Sequence, residues 1–258
     1  MSEQDTARRP AGIVALVTGA GSGIGRATAL RLSAAGIPVA ALDIDGSSAD
    51  ETVRMIRQRH NGRAATYQGD VASEAEVCQL VTAIEESQGP VGILVNVAGI
   101  QSPNTGLRDL SLDEWRRVMG VNLNGTFLCC RAAVPRMLRL GWGRIVITSS
   151  VLGLRGRPGT GAYATSKAAL LGFSRSLALE LADKGITVNA ILPSMVDTNL
   201  VRRNASEEQV KARGRELAIG RVADADEIAS AIAYLVSDDA TYLSGAELVI
   251  SAGSFIRA

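Results

Sequence analysis

Histidine and cysteine, which build most metal sites and many catalytic triads, are scarce in this chain of 258 residues. The one histidine, His60, stands in a polar run typical of a solvated helix end, so neither a histidine triad nor a histidine-rich metal site can be assembled. The three cysteines, Cys78, Cys129 and Cys130, lack metal-ligand spacing, and an odd count argues against a disulfide framework. We therefore expect no metal and a reducing, cytoplasmic location.

Long apolar runs and blocks of basic charge are also missing. No window holds the ~18 uninterrupted apolar residues that a membrane span requires. The net charge is +1, and no run of Lys and Arg exceeds a pair, which excludes an electrostatic surface for nucleic acid or an anionic membrane. The N-terminal residues are polar, so we predict a short disordered arm over 1–11 rather than a signal peptide.

Apolar, β-branched runs alternate with segments of 3.6-residue periodicity along the whole chain. The runs predict strands, each buried on both faces, at 13–18, 39–43, 64–68, 93–96, 145–148, 187–192 and 248–250. The periodic segments predict helices at 24–35, 48–59, 74–88, 112–140, 162–183 and 225–237. Strict alternation implies right-handed crossovers. The predicted class is α/β: a single doubly wound domain with a parallel sheet over 12–258 and helices on both faces.

Two segments differ from this regular alternation. Residues 194–220 are longer than an ordinary connection and mix apolar with charged side chains, which is typical of a lid or a binding segment. The helix predicted at 162–183 is apolar around most of its circumference, with Leu171, Phe173 and Leu177 among its residues. Such a helix needs two buried contacts, and the sheet supplies one. We predict that a second copy of the chain supplies the other, giving a homo-oligomer.

A glycine-rich turn, Thr18-Gly-Ala-Gly-Ser-Gly-Ile-Gly25, follows the first predicted strand and opens a helix. Glycines permit a tight turn and let a pyrophosphate approach backbone N–H groups at the helix N-terminus, where the dipole favours negative charge. A glycine cluster is also common in turns that bind nothing, but its place after the first strand favours a dinucleotide site. No Gly-Lys-Ser/Thr sequence closes the turn, which excludes a P-loop.

Asp43 ends the second predicted strand, 18 residues after Gly25. A carboxylate at that place can accept hydrogen bonds from both adenosine ribose hydroxyls and would repel a 2′-phosphate, which favours NAD over NADP. Ser22 and Leu42 are neutral and offer no cation for an additional phosphate. The alternative interpretation of Asp43 is a turn aspartate that precedes Asp45-Gly46.

Tyr163 and Lys167 stand four positions apart on a predicted helix and so share one face. Ser149 and Ser150 end the fifth predicted strand, at the edge where open α/β sheets bind ligands. Hydride exchange between an alcohol carbon and nicotinamide requires transfer of the hydroxyl proton, and a phenol does this at neutral pH when a nearby cation favours phenolate. Lys167 would supply that charge, and a serine hydroxyl would hold the substrate oxygen. Alone, the Tyr-Lys pair is more typical of an amphipathic surface helix, and only its combination with the other residues favours a catalytic site.

The combined pattern resembles the motif series of the short-chain dehydrogenase/reductases over nearly the whole chain. The matching residues are the glycine turn, Asp70-Val71, Asn96-Val-Ala-Gly99, Asn122, Ser150 and Tyr163-Ala-Thr-Ser-Lys167. The resemblance implies that Tyr163 is the catalytic acid/base, that Lys167 lowers its pKa and binds the nicotinamide ribose, and that Ser150 orients the substrate oxygen. Asn122 would hold, through its backbone, a water that links Lys167 to solvent. A polar residue that kinks a long helix is the compatible alternative for Asn122.

The resemblance also implies a Rossmann sheet with a mobile substrate lid, a homotetramer, and a set of cofactor contacts that runs from adenine to nicotinamide. This set is Gly19, Ser22, Ile24, Gly25, Asp43, Asp70, Val71, Asn96, Ala98, Tyr163, Lys167, Pro193, Val196 and Thr198. The chain departs from the usual family pattern at Val97, Ser194 and Ser251-Ala252. These positions bear on strand packing, the lid hinge and the C-terminus and not on the expected chemistry.

The sequence thus predicts an NAD-dependent oxidoreductase that interconverts a secondary alcohol and a ketone, with a small-molecule substrate and no nucleic-acid or membrane partner. A 3-oxoacyl carrier-protein reductase is one alternative. It is weakened because such enzymes usually use NADP and often have docking arginines where Leu128 and Leu179 stand here. A dinucleotide sensor without catalysis is another, since fold alone does not decide function. The intact Tyr163, Lys167 and Ser150 argue against a sensor.

Overall fold

Seven parallel strands form one sheet, in the order β3-β2-β1-β4-β5-β6-β7, in this computed structural model, which describes residues 8–101, 103–202 and 206–255. The strands are β1 (Val14–Thr18), β2 (Val39–Asp43), β3 (Ala64–Gln68), β4 (Val91–Asn96), β5 (Gly143–Thr148), β6 (Ile186–Pro193) and β7 (Glu247–Ile250). Each predicted strand is present, and the doubly wound α/β class is confirmed. Of the predicted N-terminal arm, residues 1–7 lie outside the described residues, and 8–11 form neither helix nor strand.

Helices connect the strands and cover both faces of the sheet. They are α1 (Gly23–Ala34), α2 (Gly46–His60), α3 (Glu74–Gln88), α4 (Leu112–Met119), α5 (Gly125–Leu140), α6 (Gly161–Leu181), α7 (Asn199–Arg202), α8 (Glu207–Arg215) and α9 (Ala225–Leu235). Side-chain oxygens of Asp45, Ser73 and Ser111 cap α2, α3 and α4 by accepting backbone N–H bonds. Among the described residues, no helix has the length and apolarity that crossing a membrane requires.

The core lies in two layers, one on each face of the sheet. Because side chains alternate along a strand, Val14 and Leu16 of β1 face one layer, and Ala15 and Val17 face the other. The first layer is completed by α3, α5 and α6, and the second by α1, α2 and α9. Both faces of β1 are therefore buried, as predicted for a central parallel strand.

One expectation about the strands was wrong. Burial on both faces does not hold for β3 and β7, where Tyr67 is partly exposed and Leu248 is 38% exposed, because these edge strands are covered less completely by the helix layers than the central strands. The helix predicted at 112–140 is present with these bounds and contains the irregularity expected at Asn122. A π-helical turn, Gly120–Asn124, separates α4 from α5, and the Thr126 hydroxyl bonds the carbonyl oxygen of Asn122 at 2.9 Å.

The strand order reverses between β1 and β4, the position at which open α/β sheets form a ligand-binding cleft. The connections leave these two strands toward opposite edges of the sheet, so their carboxyl ends bound a crevice suited to a ligand. The Thr18 hydroxyl, at the end of β1, accepts the N–H groups of Val97 and Ala98 at 3.1 Å each. This contact ties the two strand ends together at the base of the cleft.

The predicted lid, residues 194–220, contains α7 and α8, and its residues 203–205 lie outside the described part of the chain. Its first residues lie against the body of the protein, because Val196 forms a parallel bridge with Ala223. The Asp197 carboxylate binds the Arg202 guanidinium at 2.6 and 2.7 Å. The predicted lid therefore begins with a segment that packs against the body of the protein.

Candidate active site

The glycine turn between β1 and α1 is one that only glycine can form. Gly19 has φ +68°, and a Cβ there would lie 2.9 Å from the Ala98 nitrogen. A Cβ on Gly25 would lie 2.0 Å from the Gly19 carbonyl oxygen. Ser22, just before α1, makes no side-chain capping bond among the described residues. The first N–H groups of α1 can therefore receive an anion, as predicted for a dinucleotide pyrophosphate.

Asp43 lies beside this turn at the end of β2. Its Oδ2 accepts the Gly21 N–H at 2.8 Å, and its Oδ1 accepts the Asp45 N–H at 3.0 Å. The second bond is the one expected of a turn aspartate, whereas the first places the carboxylate at the glycine turn. Each carboxylate oxygen has a further acceptor site, so both could still bind ribose hydroxyls.

The remaining cofactor candidates lie around the same cleft but contribute differently. Val71 is buried against Gly125, where a Cβ would lie 2.8 Å from Val71 Cγ2. The Asn96 side chain is buried, with its Nδ2 3.5 Å from the Cys130 sulfur, so only the backbone of Asn96 can line the cleft. Thr198 lies against the turn, since a Cβ on Gly23 would be 3.0 Å from its Cγ2.

Tyr163 and Lys167 occupy the first two turns of α6. Lys167 is 4% exposed, and its Nζ donates a hydrogen bond to the Thr148 carbonyl oxygen at 2.7 Å and lies 5.8 Å from the centre of the Tyr163 ring. A Cβ on Gly99 would lie 3.4 Å from the same Nζ. The ammonium is therefore held at the carboxyl ends of β4 and β5, beneath the tyrosine.

Ser150 follows β5 and is nearly buried. Its Oγ accepts the Leu152 N–H at 3.2 Å, and it lies within hydrogen-bonding reach of the Tyr163 hydroxyl, as does Gln101. The neighbouring Ser149 has a different part, because its Oγ donates to the Lys167 carbonyl oxygen at 2.7 Å and so ties α6 to the end of β5. The Tyr163 side chain is half-buried, which leaves it accessible from the cleft.

The two ionisable groups respond to burial in opposite directions. Burial raises the pKa of Tyr163, while Ser150, Gln101 and the charge of Arg157 act to lower it. Burial lowers the pKa of Lys167 to about 8. The Lys167 Nζ lies 5.8 Å from the centre of the Tyr163 ring and donates its hydrogen bond to Thr148. That Lys167 lowers the pKa of Tyr163 therefore stays a prediction.

Asn122 is fully buried in the π-helical turn and connects two parts of the site. Its Oδ1 accepts the Ile100 N–H at 2.8 Å, and its Nδ2 donates to the Ile100 carbonyl oxygen and to Ser166 Oγ, both at 3.0 Å. The side chain thus holds the loop after β4 against α6, next to Lys167. The expected helix irregularity at Asn122 is present, and the water relay stays a prediction.

The family is shown by comparison with known proteins. The sequence pattern of the family described as "Enoyl-(Acyl carrier protein) reductase" matches residues 19–254. The (3R)-3-hydroxyacyl-CoA dehydrogenase of Mus musculus is 36% identical over 251 residues, which cover 94% of this chain and 96% of that one. The chain belongs to the short-chain dehydrogenase/reductase family. It is therefore an oxidoreductase by family.

Other members of the family are equally similar to this chain. The 2-(R)-hydroxypropyl-CoM dehydrogenase of Xanthobacter autotrophicus is 39% identical over 243 residues, covering 92% of this chain and 96% of that one. Among solved structures, levodione reductase superposes with a TM-score of 0.93 at 31% identity, covering 97% of this chain and 100% of that one. The substrates named in these relatives differ, so the family likeness does not select one.

Several contacts of this short-chain dehydrogenase/reductase were not identified from the sequence. Gln101 and Arg157 belong to segments 101–106 and 151–160, from which the sequence predicts pocket walls, but their approach to Tyr163 depends on the fold. Arg26 is a cation at the glycine turn that the neutral Ser22 and Leu42 do not indicate, and its guanidinium donates to the Gly21 carbonyl oxygen. Among the described residues, no group of three His, Cys, Asp or Glu side chains is placed to hold a metal ion.

Proposed function

We propose that this chain is an NAD(H)-dependent enzyme that interconverts a secondary alcohol and a ketone, with Tyr163 as the proton donor and acceptor. The observation that supports this most is that Ser150 and Gln101 lie around the Tyr163 hydroxyl at the cleft, with the buried ammonium of Lys167 nearby. A half-buried phenol with hydrogen-bonding neighbours is suited to give or take a proton from a bound substrate oxygen.

Each of these residues has a separate part in the proposed reaction. Ser150 would hold the substrate oxygen, and Tyr163 would transfer the proton at its hydroxyl. Lys167 would bind the nicotinamide ribose and favour the charged form of the tyrosine, while Asn122 keeps the loop after β4 in place against α6. A bound nicotinamide would supply the hydride acceptor or donor.

The glycine turn and Asp43 support the choice of NAD. The first N–H groups of α1 fit a pyrophosphate, and the carboxylate of Asp43 at the turn fits a ribose with free 2′- and 3′-hydroxyls. A 2′-phosphate beside this carboxylate would bring like charges together, which costs binding energy. NADP is therefore the less favoured cofactor.

Replacing Asp43 with alanine is expected to reduce the preference for NAD over NADP by about tenfold, because the repulsion of the 2′-phosphate and the bonds to the ribose are both lost. The measurement is kcat/KM for each cofactor with one substrate. Asp50→Ala, an exposed aspartate of α2, is the matched control and should leave the ratio unchanged. An unchanged ratio in Asp43→Ala would show that Asp43 does not contact the ribose.

A 3-oxoacyl carrier-protein reductase is the second candidate, because relatives of that name also match this chain, among them one from Aquifex aeolicus that is 36% identical over 245 residues. The structure weakens it at both positions considered for docking. Leu128 is buried in the core, and Leu179 is 82% exposed but apolar, so neither offers a positive charge to an acidic carrier. We therefore favour a small-molecule substrate.

A substrate panel separates these candidates and the sensor. Wild-type protein with NAD should produce NADH from one group among cyclic, acyclic, acidic and polyol secondary alcohols, followed by absorbance at the NADH band. Oxidation of NADPH by a 3-oxoacyl thioester alone would favour the carrier-protein reductase. NADH binding without turnover of any compound would favour the sensor.

We also propose that the chain self-associates and is cytoplasmic. Leu179 of α6 is exposed, and Phe173 of the same helix packs edge-on against Phe127 of α5, which is 42% exposed, so apolar side chains of both helices reach the surface. A monomer at micromolar concentration in sedimentation velocity would refute self-association.

The three free cysteine thiols support a reducing compartment and thus the proposed cytoplasmic location.

A further inference from the structure

Arg26 lies behind the glycine turn and connects it to two helices. It belongs to α1, and its Nη2 donates to the carbonyl oxygen of Gly21 and, at 3.2 Å, to that of Ser48 in α2. Its Nε donates to the Thr52 hydroxyl at 3.0 Å. One guanidinium therefore bonds the turn and two sites on α2, and none of the roles described above uses it.

Thr52 extends this connection to the preceding peptide. It is fully buried, and its Oγ1 donates to the Ala20 carbonyl oxygen at 2.8 Å while accepting from Arg26. Two consecutive carbonyl oxygens of the turn, those of Ala20 and Gly21, are thus bound by the Arg26–Thr52 pair. Carbonyl oxygens carry partial negative charge, so this arrangement keeps them from facing an anionic pyrophosphate.

The same turn is bound to Asp43 on its other side. The Gly21 N–H donates to Asp43 Oδ2, and a Cβ on Gly21 would lie 2.8 Å from that oxygen and 2.8 Å from Ser48 Cβ. Gly21 is therefore held through its N–H by Asp43 and through its carbonyl by Arg26. Any movement of the turn would also move the N–H group that orients the carboxylate.

We propose that Arg26 and Thr52 are positioning residues for the dinucleotide site, which hold the glycine turn and Asp43 in the conformation that binds the ADP-ribose part of the cofactor. This inference rests on the proposed use of NAD. A glycine-rich turn has many accessible conformations, and fixing it before binding reduces the entropy that the complex must lose. Neither residue touches the reacting atoms, so the effect belongs to binding and not to chemistry.

The test compares Arg26→Met, Thr52→Val and the double variant by titration of NADH fluorescence and by calorimetry with ADP-ribose. Each single substitution is expected to raise the Kd of both ligands by about tenfold, since a charge-assisted hydrogen bond and a buried partner are lost. The double variant should bind little worse than either single one, because both substitutions break the same connection. The kcat at saturating NAD should stay within about twofold of wild type.

Conservative and matched variants distinguish positioning from a general loss of structure. Thr52→Ser keeps the hydroxyl and should restore wild-type affinity, and Arg26→Lys should restore part of it because an ammonium can still reach a carbonyl. Arg31→Met, an exposed arginine on the same helix, should bind both ligands normally. Unchanged Kd values in Arg26→Met, or loss of kcat equal to the loss of affinity, would overturn the proposal.

The result of this binding test can be distinguished from the result of the turnover test of the proposed function. Wild-type protein that binds NADH but turns over no substrate would end the proposed reaction, while the Kd values of the variants would still decide the role of Arg26 and Thr52. Wild-type protein that binds neither NADH nor ADP-ribose would overturn both.

Discussion

Replacing Tyr163 with phenylalanine is expected to lower kcat by about 10³-fold while leaving NADH affinity nearly intact. The substitution removes the one hydroxyl that Ser150 and Gln101 approach, and it keeps the ring that lies 5.8 Å from Lys167 Nζ. The proton donor is then lost, but the cleft keeps its shape. The measurement is NADH production over the panel of secondary alcohols, together with NADH titration by fluorescence.

A second tyrosine provides the control for this prediction. Tyr242 is 99% exposed, and Tyr242→Phe should turn over substrate as the wild type does. Substantial residual activity in Tyr163→Phe would mean that another group transfers the proton. Equal losses of NADH binding and turnover would instead mean that the ring has shifted, and a circular dichroism spectrum and melting curve would detect a folding defect.

Lys167→Met is expected to reduce kcat/KM by about 10²-fold or more and, at the same time, to stabilise the protein in the absence of cofactor. The lysine is 4% exposed, and its ammonium donates to the uncharged carbonyl oxygen of Thr148, so its charge is costly to bury. Methionine has similar length and no charge. We expect a gain of about 1 kcal/mol in the free energy of unfolding at pH 7.

The pH dependence of this gain follows from the lowered pKa of Lys167. Its pKa falls from 10.5 to about 8 in the folded chain, so between these values the unfolded chain binds more protons than the folded one. The contribution of Lys167 to the free energy of unfolding of the wild type should therefore become more favourable as the pH rises from about 8 to 10.5. The stability advantage of Lys167→Met over the wild type should shrink over the same window. Urea unfolding at pH 6, 7, 9 and 10 measures both effects.

Lys184 is the matched control, because it is exposed and paired with the neighbouring Asp183 at 2.7 Å. Lys184→Met should change neither activity nor the pH dependence of stability. If Lys167→Met is less stable than wild type at every pH, the buried ammonium is held by more favourable contacts than those described. The expectation that this substitution stabilises the protein while it lowers activity would then be wrong.

The secondary structure of this chain could be predicted well because it depends on local patterns. Each strand of the sheet appears where an apolar, β-branched run predicted it, and α3 has the predicted bounds, 74–88. The error occurred where packing decides, because strand order determines whether both faces of β3 and β7 are covered. The π-helical turn at Gly120–Asn124 lies within the predicted helix, where Asn122 contacts Ile100 and Ser166.

The candidate site divides in the same way. The spacing of Tyr163 and Lys167, the glycine turn and the place of Asp43 after β2 are properties of the sequence, since helix periodicity, glycine conformation and strand ends are local. The tertiary structure alone decided that Lys167 bonds Thr148, that Gln101 and Arg157 approach Tyr163, and that Arg26 holds the turn against α2. These contacts join residues distant in sequence, and they arise only when the order and register of the strands bring the loops to one edge of the sheet.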